Sequence, residues 1–230
     1  MSFPARPRKL ADCRLRGAGT ELFLVEGDSA SSSVVAVCDP EFQAVLPMQG
    51  KPMNPLRGSA ERITTSPLYA ALIIALGGGV GAGFFLDRVR YDRVLLLMDP
   101  DADGIHCGVL LQMFFYRWMR PLLDAGRVQV VWAPMAEVRV AGQEEPTFAY
   151  TEPHLQSVRH ALRLQGKQIL DTVHHRGLGS MYPPMLARTC VAPATRTTVP
   201  LEAKDVLRAI EVFGGPRPAA DPQLQLFGTD

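Results

Sequence analysis

The chain has few cysteines, no long apolar run and almost no net charge, and each of these absences argues against a class of protein. The four cysteines, Cys13, Cys38, Cys107 and Cys190, are far apart and form no Cys-x-x-Cys pair, which argues against a zinc site and favours a reduced, cytoplasmic compartment. No window approaches the ~18 apolar residues that a membrane-spanning helix needs. The formal net charge is +1, so any contact with nucleic acid must come from a local basic patch.

At 230 residues, with 47% apolar side chains, the chain is long enough for one substantial α/β domain with a small appendage. Up to about residue 135, short apolar runs typical of buried strands alternate with segments of helical periodicity. This alternation predicts a mostly parallel sheet with helices on both faces. The expected strands are residues 21–25, 44–47, 94–98 and 128–132, and the expected helices are residues 29–37 (with Asp28 or Ser29 as N-cap), 66–76 and 109–123.

The pattern of the sequence changes after residue 135. A hairpin of residues 138–140 and 147–151, a helix of residues 154–164 and a last helix of residues 203–212 are expected there. The lead-in has no apolar core of the kind that a signal peptide carries. We therefore divide the chain into a basic lead-in (1–19), an α/β domain (20–135), a small α+β extension (136–215) and a loose, Pro-rich tail (216–230).

Residues 77–83, Gly-Gly-Gly-Val-Gly-Ala-Gly, invite comparison with a phosphate-binding loop. They lack the Lys-Ser/Thr pair of a P-loop, and they follow a predicted helix rather than a strand. We interpret this glycine-rich loop as a linker or hinge.

The most informative stretch is Asp99-Pro100-Asp101-Ala102-Asp103-Gly104, which directly follows the apolar run 94–98. Ligands of open α/β sheets bind at the carboxyl ends of the strands, and these three carboxylates lie at such an end. Because three like charges so close in sequence repel one another, they are costly to hold together unless a cation lies among them. Mg²⁺ prefers carboxylate and water oxygens, so the sequence indicates a magnesium site.

Two other interpretations of this stretch have to be weighed. Asp-x-Asp-x-Asp-Gly also begins the calcium loop of an EF-hand, but the twelfth position of that loop needs a glutamate and here is Leu110. The preceding segment also has a strand pattern rather than a helical one, which excludes an EF-hand. An acidic surface turn, with Pro100 and Gly104 as turn residues, stays open as the alternative.

A further carboxylate, Glu26, follows the first predicted strand. If strands 21–25 and 94–98 are neighbours in a parallel sheet, Glu26 converges with Asp99, Asp101 and Asp103 at one edge. Four carboxylates can hold one or two Mg²⁺ ions and leave coordination positions open for phosphate oxygens. Two ions about 3.5–4 Å apart stabilise both the attacking and the leaving oxygen of a phosphoryl displacement.

Glu-Gly-Asp-Ser-Ala at residues 26–30, together with the three aspartates, resembles the Toprim domain of type IIA topoisomerases. Over residues 9–215 the chain resembles, more closely, the C-terminal half of the B subunit of bacterial DNA gyrase and topoisomerase IV. It departs from the family's pattern at Pro100, Gln49 and Ser180, and we expect the ATPase and transducer domains of that subunit to be absent. The stretches that carry the resemblance, in the order of the family, are residues 9–13, 43–54, 103–106, 114–117 and 176–181.

The resemblance implies a Rossmann-like Toprim fold and a set of roles for individual residues. Glu26, Asp99 and Asp101 would bind a catalytic Mg²⁺, and Asp101 and Asp103 would be available to a second ion. Three further residues, Lys51, His106 and Arg176, would contact the DNA backbone, where such contacts position a duplex without reading its sequence. In this family the Mg²⁺ polarises the scissile phosphate, and the nucleophilic tyrosine belongs to an A-type partner subunit.

The function implied is that of an ATP-hydrolysing type IIA DNA topoisomerase, with this chain as a B-subunit fragment that is active only in complex. Its partners would be double-stranded DNA, an A-type subunit of gyrase or topoisomerase IV, and a separately encoded ATPase, in the cytoplasm and associated with the nucleoid. Two alternatives are a stand-alone two-metal Toprim nuclease and a catalytically inactive scaffold that binds DNA or the A subunit. The four carboxylates disfavour the scaffold, and the Arg-Gly-Leu-Gly turn (residues 176–179) and the last helix disfavour the nuclease.

Overall fold

The computed structural model describes residues 6–213, which form two β-sheets. The strands are β1 (Gly17–Glu26), β2 (Gln43–Met48), β3 (Tyr91–Leu97), β4 (Val128–Val131), β5 (Ala136–Val140), β6 (Thr147–Ala149), β7 (Ile169–His174) and β8 (Thr198–Pro200). The larger sheet has the order β2-β1-β3-β4-β8, in which the first four strands are parallel and β8 is antiparallel. The smaller sheet has the order β6-β5-β7 and is antiparallel. The predicted α/β fold with a mostly parallel sheet is confirmed.

The helices are α1 (Gly27–Val35), α2 (Ala60–Thr65), α3 (Pro67–Leu76), α4 (Ala102–Trp118), α5 (Arg120–Asp124), α6 (Glu152–Leu164), α7 (Pro183–Leu186) and α8 (Ala203–Val212). The expected helix 109–123 is instead two helices, because the chain leaves helical geometry at Met119 (φ −138°, ψ 43°) and Pro121 begins a new turn. Helix α4 also begins earlier than expected, directly after Asp101. None of the helices within residues 6–213 is long and apolar enough to cross a membrane.

Strand β1 is buried on both faces, which explains its continuous apolar run. Leu22 and Leu24 point into a core shared with α3, α4 and α8, whereas Phe23 and Val25 point into a second core shared with α1 and α7. Successive side chains of a strand point to opposite faces, so each face of the sheet receives every second residue. The prediction of helices on both faces is therefore confirmed.

The turn from β1 into α1 is tighter than the sequence pattern predicts. Gly27 has a positive φ of 72°, a conformation that glycine adopts without strain, and it turns the chain directly from strand to helix. Glu26 therefore occupies the N-cap position, and the predicted N-cap at Asp28 or Ser29 is wrong. As a result, Asp28 lies in the first turn of the helix.

The glycine-rich loop 77–83 is a closely packed turn between α3 and β3. Gly77 ends α3 in the left-handed conformation, with φ 77°. A Cβ atom at Gly79 would lie 2.2 Å from the carbonyl oxygen of Gly83, and one at Gly78 would lie 2.7 Å from a methyl group of Val89. These glycines permit close backbone approach inside the domain. The loop therefore links α3 to β3, as one of the two interpretations has it, and its close packing contradicts the other, a hinge.

The small sheet packs on α6 around a third core of residues such as Val138 and Leu155. Its hairpin, β5 and β6, was expected from the sequence, whereas β7 was not. Beyond it the chain returns to the main sheet, where β8 pairs with β4 and α8 packs in the core beside α4. The domain boundary at residue 135 stays a prediction, and the expected tail 216–230 lies outside the described residues.

A buried ion pair connects the segment before β8 to β1. The side chains of Glu21 and Arg196 are 2% and 3% exposed. Arg196 donates from Nη1 to Oε2 of Glu21 at 2.7 Å and from Nη2 to Oε1 at 2.5 Å, and Gln43 Nε2 donates to Oε2 at 2.9 Å. The Arg196 guanidinium also lies over the ring of Phe23, 5.6 Å from its centroid. Both charges are thus paired and hydrogen-bonded, as burial requires.

Replacing Arg196 should destabilise the fold severely. The change Arg196→Ala removes both hydrogen bonds from Arg196 to the buried Glu21 carboxylate and leaves it only the longer contact with Arg93, whose Nη1 lies 3.5 Å from Oε1. We expect the free energy of unfolding to fall by about 3–5 kcal/mol. Urea denaturation followed by circular dichroism measures this loss. The control is Arg14→Ala, which removes an exposed ion pair with Glu41 and should cost at most about 1 kcal/mol. Equal losses for the two variants would contradict the structural role of Arg196.

Candidate functional site

The carboxyl ends of β1 and β3 lie side by side, as the sequence predicts. The two strands are parallel neighbours, and Val25 of β1 is in register with Leu97 of β3. Glu26 is the last residue of β1, and Asp99 follows the end of β3 by two residues. Helices α1 and α4 begin at this same edge, so four carboxylates and two helix N-termini are brought together here.

Glu26 is the carboxylate whose environment is least favourable for its charge. Burial raises the pKa of Glu26, and the nearby carboxylates Asp99, Asp101 and Asp103 raise it further, whereas Lys51 opposes the rise. Its Oε2 atom is sealed from solvent and has no hydrogen-bond partner. Buried polar atoms in folded proteins are almost always satisfied, so an unpartnered carboxylate oxygen needs an explanation such as a bound ion.

Asp99 is held by a residue distant in sequence. Its Oδ1 atom accepts a hydrogen bond of 2.8 Å from the backbone N–H of Leu178. Burial raises the pKa of Asp99, and the negative charge of Asp101 raises it further. The hydrogen bond from Leu178 lowers it. The carboxylate is therefore fixed in orientation while its charge remains costly.

The other two aspartates belong to the start of α4. Asp101 is its N-cap, and Oδ1 of Asp101 accepts a 2.8 Å hydrogen bond from the N–H of Gly104. Asp103 lies in the first turn with its side chain 83% exposed, and Lys51 Nζ is 3.8 Å from Asp103 Oδ1. A Cβ atom at Gly104 would lie 2.2 Å from the carbonyl oxygen of Asp99, so glycine is needed where the helix passes the strand end.

The oxygen donors at this edge suit Mg²⁺, which binds carboxylate oxygens and keeps part of its water shell. The unpartnered oxygen of Glu26 is the observation that favours such an ion. Within residues 6–213, however, no three His, Cys, Asp or Glu side chains are grouped closely enough to hold a metal as they stand. Closing a site around an ion thus requires side-chain movement, and the assignment of Glu26, Asp99, Asp101 and Asp103 as ligands stays a prediction.

The three expected DNA contacts lie in different settings. Lys51 is exposed beside Asp103. Arg176 is exposed and directly precedes Gly177, whose backbone lies against Asp99. His106 is half-buried on α4, and its ring stacks on Phe213 with a centroid distance of 6.0 Å. Lys51 and Arg176 thus adjoin the acidic edge, and the role of all three in binding DNA stays a prediction.

The structure adds contacts that the sequence did not reveal. Asp28 receives hydrogen bonds from Lys9 Nζ at 2.7 Å and from Gln49 Nε2, which lies 3.0 Å from each carboxylate oxygen. Ser180 Oγ donates to the carbonyl oxygen of Gly177 at 2.7 Å. Gln49 and Ser180, which the sequence resemblance marks as departures, thus each form a hydrogen bond within the chain. We find no local sequence signal for the contact between Leu178 and Asp99, because the two residues are 79 positions apart.

Comparison with known proteins finds similarity to one domain family and to B subunits of two bacterial DNA topoisomerases. The family model of the Toprim domain matches residues 21–132. The chain is 39% identical to the B subunit of DNA gyrase from Thermotoga maritima and 36% identical to that from Halalkalibacterium halodurans, over 90% of its length in both cases. It is 36% identical to the B subunit of DNA topoisomerase 4 from Streptococcus pneumoniae over 84% of its length. The chain spans about a third of the length of these relatives, namely 32%, 32% and 29%.

The raised pKa of Glu26 predicts that its charge destabilises the fold. A carboxyl whose pKa is raised on folding contributes stability that is complete below its unfolded pKa, about 4.3, and is lost as the pH rises through the folded pKa. At pH 7, Glu26→Gln should therefore raise the free energy of unfolding by about 0.5–1 kcal/mol, the range for a partly exposed charge. Below about pH 4 the gain in stability should disappear, because Glu26 is then protonated in both the folded and the unfolded state.

Urea denaturation at neutral and acidic pH, without divalent cations, measures this difference. The control is Glu41→Gln, the same chemical change at an exposed ion pair with Arg14, which should give no gain at neutral pH. A Glu26→Gln variant that is less stable than the parent at pH 7 would show that the charge of Glu26 is not destabilising.

Proposed function

We propose that this chain, which contains a Toprim domain at residues 21–132 and is similar over nine-tenths of its length to a B subunit of DNA gyrase, is the Mg²⁺-binding subunit of a type II DNA topoisomerase. It would support cleavage and religation of double-stranded DNA together with an A-type subunit that supplies the nucleophilic tyrosine. The single observation that carries the proposal is the sealed, unpartnered oxygen of Glu26 in the field of three aspartates.

Glu26, Asp99 and Asp101 would hold the Mg²⁺, and Asp101 and Asp103 would serve a second ion. When bound, the metal supplies stabilisation for the negative charge that develops on the phosphate and on the leaving 3′ oxygen. The chain's own residues keep the ligands in place: Asp101 is fixed by Gly104 and Asp99 by Leu178. Helix N-termini carry partial positive charge, which interacts favourably with the carboxylates of Glu26 and Asp101 at the caps of α1 and α4.

The DNA backbone would be held beside this edge by Lys51, Arg176 and His106. Lys51 partly offsets the charge of Asp103, so a phosphate that approaches the acidic edge meets a cation as well as the carboxylates. Phosphate contacts of this kind fix the position of the duplex without reading its sequence. His106 is oriented by the ring of Phe213.

The buried tyrosines of the chain are poor candidates for the nucleophile, which favours one from another subunit. Of its five tyrosines, Tyr69, Tyr91 and Tyr116 are buried in the core. Burial raises the pKa of Tyr69, and burial together with the hydrogen bond to Asp12 raises that of Tyr91, so neither hydroxyl is prepared for attack on a phosphate. Strand passage would further need hydrolysis of ATP by an ATPase domain.

Asp101 provides the sharpest test of this function. Mixed with an A-type subunit of a bacterial gyrase, duplex DNA and Mg²⁺, the chain should form covalent protein–DNA adducts that are recovered after denaturation. Asp101→Ala should reduce their yield by at least about 100-fold, because metal-site ligands contribute several kcal/mol to a phosphoryl displacement. The control, Asp87→Ala, removes an acidic residue from the turn that precedes β3 and should keep the parental yield.

The outcomes separate the alternatives. Adducts that persist in Asp101→Ala would contradict the metal assignment. Metal-dependent nicking by the chain alone would favour the stand-alone nuclease. Absence of Mg²⁺ binding in a calorimetric titration, together with absence of adducts, would favour the inactive scaffold.

Arg176 should contribute to DNA affinity through the phosphate backbone. Each cation that neutralises a phosphate adds about one to the slope of log K against log salt concentration. We expect Arg176→Ala to weaken binding of duplex DNA and to reduce this slope by about 1, measured by fluorescence anisotropy across a salt series. Arg14→Ala is the matched control, since Arg14 pairs with Glu41 near the opposite, amino edge of the sheet. Equal slopes for Arg176→Ala and the parent would remove Arg176 from the DNA contacts.

A further inference from the structure

The Arg-Gly-Leu-Gly turn (residues 176–179) covers the carboxylate of Asp99 with its backbone. The N–H of Leu178 donates to Oδ1 of Asp99 at 2.8 Å. A Cβ atom at Gly177 would lie 2.7 Å from Oδ2 and 3.0 Å from Cγ of the same carboxylate. Gly177 has φ 176°, which is ordinary extended backbone, so glycine is needed here for space and not for conformation. Leu178 of the turn therefore hydrogen-bonds one oxygen of Asp99, and there is no room for a side chain at Gly177 beside the other.

The turn is also held from its other sides. A Cβ atom at Gly179 would lie 2.3 Å from Oγ of Ser29 in the first turn of α1. The side chain of Leu178 is fully buried in the core that contains Phe23 and Leu97. The backbone N–H of Ser180 donates to the carbonyl oxygen of Gly177 at 3.0 Å, which closes the turn on itself. The position of the Leu178 amide is thus determined independently of Asp99.

We propose that the Arg-Gly-Leu-Gly turn is a positioning clamp for Asp99. The amide of Leu178 orients the carboxylate, and the bare backbone of Gly177 lets the turn approach closely enough to do so. The inference rests on the proposed function in one respect, that Asp99 binds Mg²⁺. Hydrogen-bonding partners of a metal-binding carboxylate set its orientation, and their loss typically lowers metal affinity by about 10–100-fold.

The clamp links the metal to the small sheet. Strand β7 ends at His174 and leads directly into the turn, so the chain connects the small sheet to the hydrogen bond between Leu178 and Asp99. Thermodynamic linkage makes the effect reciprocal: if the seated turn favours Mg²⁺ binding, bound Mg²⁺ favours the seated turn by the same factor. Metal binding should therefore be measurable at the Leu178 amide as well as at the carboxylates.

Hydrogen exchange of the Leu178 amide in the full chain tests the clamp directly. We expect this amide to be protected in the parent, and to exchange at least about tenfold faster in Asp99→Ala, since a net hydrogen bond to a charged group is worth about 1.5–3 kcal/mol. In Asp99→Asn the side-chain oxygen still accepts the hydrogen bond, so most of the protection should remain. Addition of Mg²⁺ should slow the exchange further in the parent and have no effect in Asp99→Asn.

A second measurement tests whether the turn needs glycine at position 177. Gly177→Ala should lower the affinity for Mg²⁺, measured by calorimetry, by about 10–100-fold. The control Gly83→Ala introduces the same methyl group where nothing lies within 4 Å, and should bind Mg²⁺ as the parent does. If Gly177→Ala does not fold, the exchange rates in the parent, Asp99→Ala and Asp99→Asn still decide the question.

Two results would overturn the clamp. One is equal exchange at Leu178 in the parent and in Asp99→Ala, and the other is parental Mg²⁺ affinity in folded Gly177→Ala. Neither measurement uses DNA or an A-type subunit. Failure to form covalent adducts would therefore reject the proposed function while leaving the exchange result at Leu178 intact.

Discussion

Side chains of β1 and β3 are buried on both faces of the main sheet, and a one-residue slip in register would move residues such as Phe23 and Leu24 into the opposite, differently packed core. This parallel pairing determines where Glu26 and Asp99 lie, because each residue follows its strand by a fixed number of positions. The acidic edge is therefore imposed by apolar packing beneath it. Electrostatics alone would move these carboxylates apart, as the raised pKa values of Glu26 and Asp99 indicate.

The cost of the acidic edge has to be met elsewhere in the fold. Two features reduce the electrostatic cost of the clustered carboxylates. The N-termini of α1 and α4 carry partial positive charge, and the backbone amides of Gly104 and Leu178 donate hydrogen bonds to two of the carboxylates. Glu26 lacks such a donor and keeps an oxygen without a partner. A site that retains an unsatisfied charge at a strand end is typical of function, since a merely structural edge would lose nothing by a neutral residue there.

Local patterns in the sequence were sufficient for the parts of the fold that depend on neighbouring residues. Apolar runs predict the buried strands, and Ser66-Pro67 predicts the start of α3. The spacing of Asp99, Asp101 and Asp103 predicts the acidic edge. The errors have local causes as well. The pattern predicts the start of α1 too late, because residue type alone does not show that Gly27 adopts a positive φ. It also predicts one helix where α4 and α5 are separate, although Pro121 marks the start of the second.

What could not be predicted depends on residues far apart in the chain. Arg196 meets Glu21 across 175 positions and Leu178 meets Asp99 across 79, and neither contact has a signature in the residues beside it. Both contacts join the segment after residue 135 to β1 or to the end of β3. That segment is therefore more than an appendage: it supplies a hydrogen-bonded countercharge for a carboxylate buried in the main sheet and the donor that orients a second carboxylate at the acidic edge. A main sheet cut at residue 135 would keep its four acidic residues and lose both of these contacts, so the number of carboxylates at the acidic edge is not by itself a measure of a competent site.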